Sequence, residues 1–308
     1  MPANFTLPDF FEPLLAEQYG ECDVRRIVDG CMAKRPVTLR ANTLRASRDE
    51  VADALDDAGI SWKPVPWYDD AFIVVDARER TLWDLPIYDE GKVYLQSLSS
   101  MIPALVLDAK PGEDVCDMCA APGGKTTQIA ALADGRAFVT ACEMHAPRAE
   151  KLQHNLQKLG AANTTVMRTD ARQLDEFFRF DRILVDAPCS GSGTLRAGDA
   201  GVARRFTPKL VEKSRKSQRA LLGKALNLVK PGGIVVYSTC SVLACENEDI
   251  VEACLKGARR AGTFEAEPIE LARFDGAPLL PTRLEGALCL CPDELYEGFF
   301  VAAIKRTA

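Results

Sequence analysis

The spacing of apolar residues differs between two parts of the chain, and the pattern changes near residue 95. Beyond residue 106, short apolar runs typical of buried strands alternate with longer segments whose apolar residues recur at helical spacing. The predicted strands are Asp114–Asp117, Ala137–Cys142, Thr164–Arg168, Arg182–Asp186, Ile234–Tyr237 and Gly298–Ile304. The predicted helices are residues 124–133, 146–159 and 208–229. This alternation predicts a mostly parallel sheet with helices on both faces.

The first 95 residues mix helical and extended segments in an order that indicates a small separate lobe. Two helices are expected before residue 35, the second capped by Asp23, and a strand is expected at residues 36–44. Ser47 and Glu50 form a capping-box pattern that begins another helix. The predicted division is a small α+β lobe at residues 1–95, a hinge at 88–100 and a main α/β domain at 96–308.

The composition excludes several classes of protein. Apolar residues make up 47% of the 308 positions and charged residues 27%, which is typical of a globular chain with a full core. The chain shows neither a secretory signal pattern nor an apolar run that approaches the roughly 20 residues of a membrane span. Its eleven cysteines therefore indicate reduced thiols in the cytosol. We expect a cytoplasmic protein, or a nuclear or nucleolar one if the source is eukaryotic.

The net charge of −6 argues weakly against a nucleic-acid partner. Binding depends on a local basic face more than on the total charge, however. Residues 204–219 contain a single acid, Glu212, among seven basic residues: Arg204, Arg205, Lys209, Lys213, Arg215, Lys216 and Arg219. The stretch predicts an RNA contact, and a solvated helix face is the alternative explanation.

The segment from Val115 to Thr127 predicts a strand, a turn of small residues and then a helix. Such a turn presents backbone N–H groups at a helix N-terminus, where a nucleotide-like ligand binds. The turn has neither the dinucleotide nor the triphosphate glycine spacing. Glu143 and Asp170 close the next two strands, at positions that suit a ribose and an adenine. A nucleoside without pyrophosphate favours S-adenosylmethionine over NAD, although both acids can also be ordinary polar strand ends.

Two other cysteine patterns suggest alternative chemistries. Cys116 and Cys119 have the C-x-x-C spacing of thioredoxin-like redox sites. A zinc site is disfavoured because the chain has two histidines and Cys289-x-Cys291 lacks a partner pair. We expect Cys116, Cys289 and Cys291 to be small buried residues, and we predict no metal.

Cys189 and Cys240 lie just past the ends of two predicted strands. Cys189 follows Asp186-Ala187-Pro188, and Cys240 follows Tyr237-Ser238-Thr239. Because open α/β sheets bind ligands at the carboxyl ends of their strands, both thiols are expected at the active site.

These segments resemble the motifs of the RNA cytosine-5 methyltransferases of the NOL1/NOP2/Sun (RsmB-like) family. Asp117–Thr126 resembles the first motif, Asp186–Cys189 the fourth and Ser238–Ser241 the sixth. Arg40–Leu44 is similar to the R-x-N-T-L segment of the small lobe, and Gly298–Phe300 to the closing strand. The resemblance covers nearly the whole chain. It implies a Rossmann-like, S-adenosylmethionine-dependent methyltransferase sheet with a small α+β N-terminal lobe.

The resemblance also assigns residues to the cofactor. The methionine and ribose part would be lined by Cys119, Ala120, Ala121, Pro122, Gly123, Gly124 and Lys125. Glu143 would hold the ribose with Arg148 beside it, and Asp170 would hold the adenine. Asp186 would lie between the cofactor and the substrate.

The catalytic residues implied by the resemblance are Asp186, Cys189 and Cys240. Carbon 5 of cytosine is too weakly nucleophilic to take a methyl group directly, and a thiolate that adds at carbon 6 activates it by covalent catalysis. Cys240 would be that nucleophile, Asp186 would bind the cytosine, and Cys189 would assist product release. DNA cytosine-5 methyltransferases place the nucleophile on the Pro-Cys motif, which here would make it Cys189.

The RNA substrate is the least defined part of the prediction. Glu297 stands where the family usually has Asp, a conservative change. The sequence shows neither an added helical RNA-binding domain nor a PUA-like module, so RNA selection is expected from the small lobe, the basic stretch or an accessory RNA-binding protein. We expect a monomer acting on tRNA or rRNA, with a slight preference for tRNA. The alternatives are a non-catalytic RNA-binding assembly factor and a DNA or protein methyltransferase.

Overall fold

The computed structural model describes residues 7–196, 200–258 and 262–308. Its helices are α1 (Phe11–Ala16), α2 (Glu21–Met32), α3 (Arg48–Asp57), α4 (Glu79–Trp83), α5 (Pro86–Asp89), α6 (Leu98–Leu107), α7 (Gly124–Leu132), α8 (Ala146–Leu159), α9 (Ala200–Arg205), α10 (Pro208–Leu228) and α11 (Glu248–Gly257). Its strands are β1 (Val37–Ala41), β2 (Trp62–Val65), β3 (Tyr68–Val74), β4 (Val93–Leu95), β5 (Asp114–Asp117), β6 (Phe138–Cys142), β7 (Thr164–Met167), β8 (Phe180–Asp186), β9 (Val229–Thr239), β10 (Phe264–Glu267), β11 (Leu288–Leu290) and β12 (Phe299–Arg306).

The large sheet has the strand order β10-β12-β9-β8-β5-β6-β7, and β11 pairs with β12. Strands β5 to β9 pair in parallel, whereas β12 runs antiparallel to β9. This arrangement confirms the predicted α/β fold. The chain order reverses at β5, which lies between β6 and β8, and a ligand crevice is expected at such a switch point.

The small sheet consists of β2, β3, β1 and β4, all antiparallel. Helix α3 packs on it through Val51 and Leu55, and it begins with the predicted capping box: the Ser47 hydroxyl accepts from the Glu50 N–H, and the Glu50 carboxylate accepts from the Ser47 N–H. The local pattern is therefore enough to define where this helix begins.

Helices α1 and α2 do not pack on the small sheet, although the sequence division assigned residues 1–95 to one lobe. Phe11, Leu15 and Ile27 lie in the hydrophobic cluster of the large sheet. Helix α2 also begins at Glu21 after Gly20, so the prediction that Asp23 caps it was wrong. Apolar spacing indicates that a helix has a buried face but does not specify the partner.

The predicted hinge at residues 88–100 spans the connection between the two sheets. It contains β4, which pairs with β1, and the start of α6, which packs against the large sheet. Helix α6 is buried on nearly all sides and contains Pro103, so it has neither an amphipathic stripe nor an uninterrupted helical composition.

Two polar side chains of the small lobe hold it against the main domain. Arg40 is fully buried and donates to the Gly124 carbonyl at 3.1 Å and to the Thr127 hydroxyl at 2.7 Å, both on α7. Asn42 donates to the Leu159 carbonyl at the end of α8 at 2.8 Å. The R-x-N-T-L segment thus contacts the two helices that follow β5 and β6.

Candidate active site

A cavity of about 560 Å³ opens at the carboxyl ends of the parallel strands. Residues at the ends of β5, β6, β8 and β9 form its floor, and Tyr94 to Ser97 of the small lobe form part of its wall. The volume lies within the range of small-molecule sites, roughly 300–1,000 Å³. We call the part near β5 and β6 the cofactor half and the part near β8 and β9 the thiol half.

The loop between β5 and α7 shapes the cofactor half. Asp117 ends β5 fully buried, and its carboxylate accepts from the Thr126 hydroxyl at 2.7 Å and from the Cys119 N–H at 3.3 Å. These bonds fold the loop back onto the start of α7. Desolvation by burial raises the pKa of Asp117 to about 6.

Six of the seven residues predicted for the cofactor loop line the cavity: Cys119, Ala120, Ala121, Pro122, Gly124 and Lys125. Gly123 does not. It precedes α7 with φ of +110°, and a Cβ atom there would lie 3.0 Å from the Leu152 side chain. Its role is therefore to let the backbone turn into the helix.

Glu143 and Arg148 stand at the wall beyond β6. The Glu143 side chain is 3% exposed; its carboxylate accepts from the His145 N–H at 2.8 Å and forms an ion pair with Arg148 at 3.1 Å. Arg148 also donates to the Ala121 carbonyl at 2.9 Å. Each Glu143 oxygen has a second lone pair available, so the carboxylate can accept from two ribose hydroxyls.

Asp170 lines the cavity after β7, and it already has a structural role. It caps the short 3-10 helix Ala171–Gln173 by accepting from the Arg172 N–H. Its carboxylate also pairs with the Arg172 guanidinium at 2.6 Å, and this hydrogen bond holds the pKa of Asp170 below its usual range. An ionised carboxylate at this position can still accept from an exocyclic amino group.

The charges around the cavity favour a cationic nucleoside. Among the residues that the structure describes, the carboxylates on its lining are Asp117, Glu143, Asp170, Asp186 and Glu297, and the cations include Lys125, Arg148 and Arg172. A nucleotide phosphate would be repelled by such a wall, whereas a sulfonium would be attracted. The residues present therefore fit a nucleoside with a positively charged side arm.

Asp186 ends β8 between the two halves. It accepts from the Ser238 hydroxyl at 2.8 Å and pairs with the Lys125 ammonium at 2.9 Å. Lys125 also donates to the Ser100 hydroxyl at 2.7 Å. Burial opposes the charge on Lys125, yet the Asp186 carboxylate outweighs it and raises the pKa of the ammonium. Sequence reasoning assigned Lys125 to the cofactor alone and missed this ion pair, because its two members are 61 residues apart in the sequence.

Cys189 and Cys240 meet at the floor of the thiol half, with their Sγ atoms 3.0 Å apart. Strands β8 and β9 are paired through Asp186 and Ser238, so the two loops that follow them emerge side by side. The hydrogen bond with Cys240, together with desolvation, raises the pKa of the Cys189 thiol well above its usual range. Cys189 therefore remains protonated near neutral pH.

Sequence reasoning missed Glu246, which lies behind both thiols. It is fully buried and accepts hydrogen bonds from Ser190, the residue after Cys189, and from Ser241, the residue after Cys240. It lies in the acidic stretch Glu246-Asn247-Glu248-Asp249, a composition typical of exposed segments, and the sequence analysis assigned it no role.

The remaining cysteines of the sequence hypotheses lie outside this chemistry. Cys116 is fully buried, as are Cys289 and Cys291 apart from a small exposed fraction. In residues 7–196, 200–258 and 262–308 no group of three or more His, Cys, Asp or Glu could hold a metal ion. Among the same residues no helix is long and apolar enough to cross a membrane.

Two family models match the chain. The first, 16S rRNA methyltransferase RsmB/F, covers residues 104–305, and the second, the RsmF/B-like ferredoxin-like domain, covers residues 7–79.

Curated relatives include two named ribosomal RNA small subunit methyltransferase F. The protein from Shewanella amazonensis is 34% identical over 97% of this chain and 64% of its own length. The protein from Vibrio atlanticus is 34% identical over all of this chain and 66% of its own length. The chain thus spans less than two thirds of the length of these relatives.

Solved structures give the same picture. A methyltransferase homolog protein from Pyrococcus horikoshii is 31% identical, with a TM-score of 0.78 over 98% of this chain and 100% of its own. NSun6 from the same organism, solved with SFG, has a TM-score of 0.84 over 98% of each chain; at 22% identity it shows the fold alone.

These matches confirm the resemblance that the sequence motifs suggested. They also confirm the cofactor prediction, since the methyl donor of this family is S-adenosylmethionine, which is a nucleoside with a sulfonium side arm. The chain belongs to the RsmB/F family of 16S rRNA methyltransferases.

Proposed function

We propose that this chain methylates carbon 5 of a cytosine in small-subunit ribosomal RNA, through a covalent bond between the cytosine and Cys240. The observation that carries the proposal is the pair of thiols, 3.0 Å apart, at the floor of a cavity whose other half fits S-adenosylmethionine. An enzyme that methylates an oxygen or a nitrogen of its substrate needs no thiol beside the methyl donor. An enzyme that methylates carbon 5 of cytosine needs a nucleophile to activate the ring, and it needs a way to release that nucleophile afterwards.

S-adenosylmethionine, when bound, supplies an electrophilic methyl group. Glu143 would hold the ribose hydroxyls, Asp170 the adenine amino group, and the residues from Cys119 to Lys125 the rest of the molecule. Every other step falls to the side chains of the thiol half.

The first of these steps is the addition of the Cys240 thiolate to carbon 6 of the ring. The new S–C6 bond breaks the 5,6 double bond and moves its electron pair onto carbon 5, which becomes the nucleophilic carbon of an enamine. The Asp186 carboxylate would accept a hydrogen bond from the amino group of cytosine or from the ring nitrogen in its protonated form. Lys125 keeps Asp186 next to a positive charge at 2.9 Å, and Ser238 fixes its other oxygen at 2.8 Å, so the carboxylate is oriented before the base arrives.

Release then requires removal of the proton on carbon 5. The electron pair of that C–H bond re-forms the double bond, and Cys240 leaves carbon 6 as a thiolate. A water that the protonated Cys189 thiol orients would take the proton and pass it to the solvent. The 3.0 Å contact between the two sulfur atoms supports the proposal that both thiols act on one base.

Ribosomal RNA is favoured over transfer RNA, contrary to the slight preference drawn from the sequence. The preference for tRNA was based on the absence of added domains, whereas the matching family and relatives are named for the 16S or small-subunit ribosomal RNA. These relatives come from bacteria, so we propose the cytoplasm as the location, and no observation supports a nuclear one.

Helix α10 would guide the RNA to the cavity. Lys209, Lys213, Ser217 and Leu221 recur every four residues, so they lie along one face of the helix. The two lysines are exposed, and Ser217 and Leu221 line the cavity. This face therefore leads from a positive surface to the thiol half, which is the arrangement expected for a contact with the RNA backbone.

The RNA contact is tested by the double variant Lys209→Ala/Lys213→Ala, with Lys256→Ala on α11 as the control for removal of an exposed lysine. Binding to an in-vitro transcript of 16S rRNA should weaken, and the slope of log K against log salt should fall by about 1 for each phosphate that the variant can no longer reach. An unchanged slope in the double variant would remove α10 from the proposal.

The reaction is tested with methyl-labelled S-adenosylmethionine and purified RNA fractions. Label should enter 16S rRNA, disappear after nuclease treatment and be absent from tRNA. Label in DNA or protein would support another methyltransferase class, and no label in any fraction would support the non-catalytic assembly factor.

A further inference from the structure

Glu246 connects the two cysteine loops through a single carboxylate. One oxygen accepts from the Ser190 N–H at 2.8 Å and from the Gln218 amide at 3.2 Å. The other accepts from the Ser190 hydroxyl at 2.5 Å and from the Ser241 hydroxyl at 2.7 Å. All four donors are neutral, and together they use the full accepting capacity of a carboxylate.

Two of these donor residues are the sequence neighbours of the two cysteines. Ser190 immediately follows Cys189, and Ser241 immediately follows Cys240. Gln218 comes from α10 and also donates to the Pro188 carbonyl at 3.1 Å, one residue before Cys189. The carboxylate is therefore one residue away from each thiol and fixes both loops at the same point.

Other bonds between the loops join neutral groups. The Gly193 N–H donates to the Cys240 carbonyl at 3.1 Å, and the Ser192 and Ser241 hydroxyls are 2.8 Å apart. Glu246 is the charged member of this set, and it is fully buried. Burying a carboxylate away from water is costly unless its oxygens are satisfied, and a satisfied buried network is rigid.

We propose that Glu246 is a positioning residue that sets the separation of the Cys189 and Cys240 thiols. It does not line the cavity, and it acts through Ser190 and Ser241. Without it, each loop keeps its own strand but loses the common anchor, so the two sulfur atoms drift apart. Its effect on methylation rests on the function proposed above, whereas its effect on the thiols does not.

Phenylarsine oxide measures the separation of the thiols directly, with no RNA present. Its trivalent arsenic forms bonds to two sulfur atoms, and the two thiol protons leave with the oxide oxygen as water. The second bond is intramolecular, so affinity depends on whether both sulfurs reach one arsenic atom. Cys240→Ala gives the one-thiol baseline, and peptide mapping identifies the cysteines that carry the arsenic.

Glu246→Ala should bind phenylarsine oxide at least about tenfold more weakly than the unaltered chain, because the second bond becomes unfavourable. Glu246→Gln should stay within about threefold, since its carbonyl accepts from Ser190 and Gln218 while the serine hydroxyls can turn to accept from its amide. Glu252→Ala, a partly exposed carboxylate on α11, is the matched control and should bind as the unaltered chain does.

Binding of S-adenosylhomocysteine by calorimetry shows whether each variant is folded. If Glu246→Ala binds it normally and also binds phenylarsine oxide at full strength, the proposal is wrong. If Glu246→Ala does not fold, the double variant Ser190→Ala/Ser241→Ala decides instead: it removes two donors and keeps the carboxylate. Weaker arsenical binding in that variant supports the proposal, and unchanged binding overturns it.

The methylation assay adds a second readout. Glu246→Ala should lower kcat while KM for RNA stays constant, and Glu246→Gln should restore most of the loss. A change in KM alone would contradict a positioning role. If the unaltered chain methylates no RNA, the proposed function fails, yet the arsenical assay still decides the role of Glu246.

Discussion

The central loop of the cofactor half is one short run of sequence, whereas the thiol half is assembled entirely from segments that lie far apart. Bonds of Asp117 to Cys119 and Thr126 fold the cofactor loop from within, and Arg40 and Arg148 add bonds from outside it. The thiol half needs Asp186 to Ser190, Ser238 to Glu246 and Gln218, tied by side chains. A local loop keeps its shape when a distant residue changes, whereas an assembled site depends on every anchor.

Cys240→Ala is expected to have the largest effect on activity, and it tests whether the two halves are independent. Methyl transfer to 16S rRNA should fall by at least ~10³-fold, because the nucleophile is gone. Binding of S-adenosylhomocysteine, measured by calorimetry, should not change, because the cofactor loop makes its own contacts. A variant that lost both would show that the two halves are not separable.

Cys189→Ala should affect the same half at a later step. Turnover should fall by about 10²–10⁴-fold, the usual contribution of acid–base catalysis, and a covalent RNA adduct should accumulate. The measurement is a denaturing gel in which the protein migrates with the RNA. If the Cys240 variant formed the adduct and the Cys189 variant did not, the two thiols would exchange roles.

Glu143→Gln is the matching test of the cofactor half. Loss of the charge should weaken the binding of S-adenosylhomocysteine by roughly tenfold to a hundredfold, the worth of hydrogen bonds to a charged group. Phenylarsine oxide should bind as before. Glu150→Gln, exposed on α8, is the control. Weaker arsenical binding in Glu143→Gln would contradict the separation of the two halves.

The smallest effect is a pH dependence from Asp117. Its folded pKa of about 6 lies above that of the unfolded chain, so it stabilises the fold at low pH and this contribution is lost as the pH rises through 6. Between pH 7 and pH 5 it should add about 1 kcal/mol to the free energy of unfolding, relative to Asp117→Asn. Denaturant titrations of both proteins at the two pH values measure the difference. An identical pH dependence would show that Asp117 is not desolvated as described.

Sequence patterns predicted what local chemistry determines. Helix α8 spans Ala146–Leu159 and β5 spans Asp114–Asp117, both as predicted. The resemblance supplied the cavity residues of the cofactor loop and both thiols. The proximity of Cys189 and Cys240 was predictable because parallel strands end at the same edge of a sheet.

Features that depend on tertiary packing were not predictable in this way. Helix α6 has no polar face to reveal its period, because it is buried on nearly all sides. The spacing of apolar residues in α1 and α2 does not show that these helices pack against the large sheet. Glu246 looks like a surface acid in the sequence, and only the positions of Ser190 and Ser241 give it a role.

The central claim is that this cavity methylates cytosine in small-subunit ribosomal RNA. Bisulfite sequencing of cellular RNA, with and without the gene, tests it most directly, because 5-methylcytosine resists conversion. The account predicts a protected cytosine in 16S rRNA that is present with the gene, absent without it and not restored by the Cys240→Ala variant. An identical pattern of protected cytosines in 16S rRNA in all three strains would contradict it.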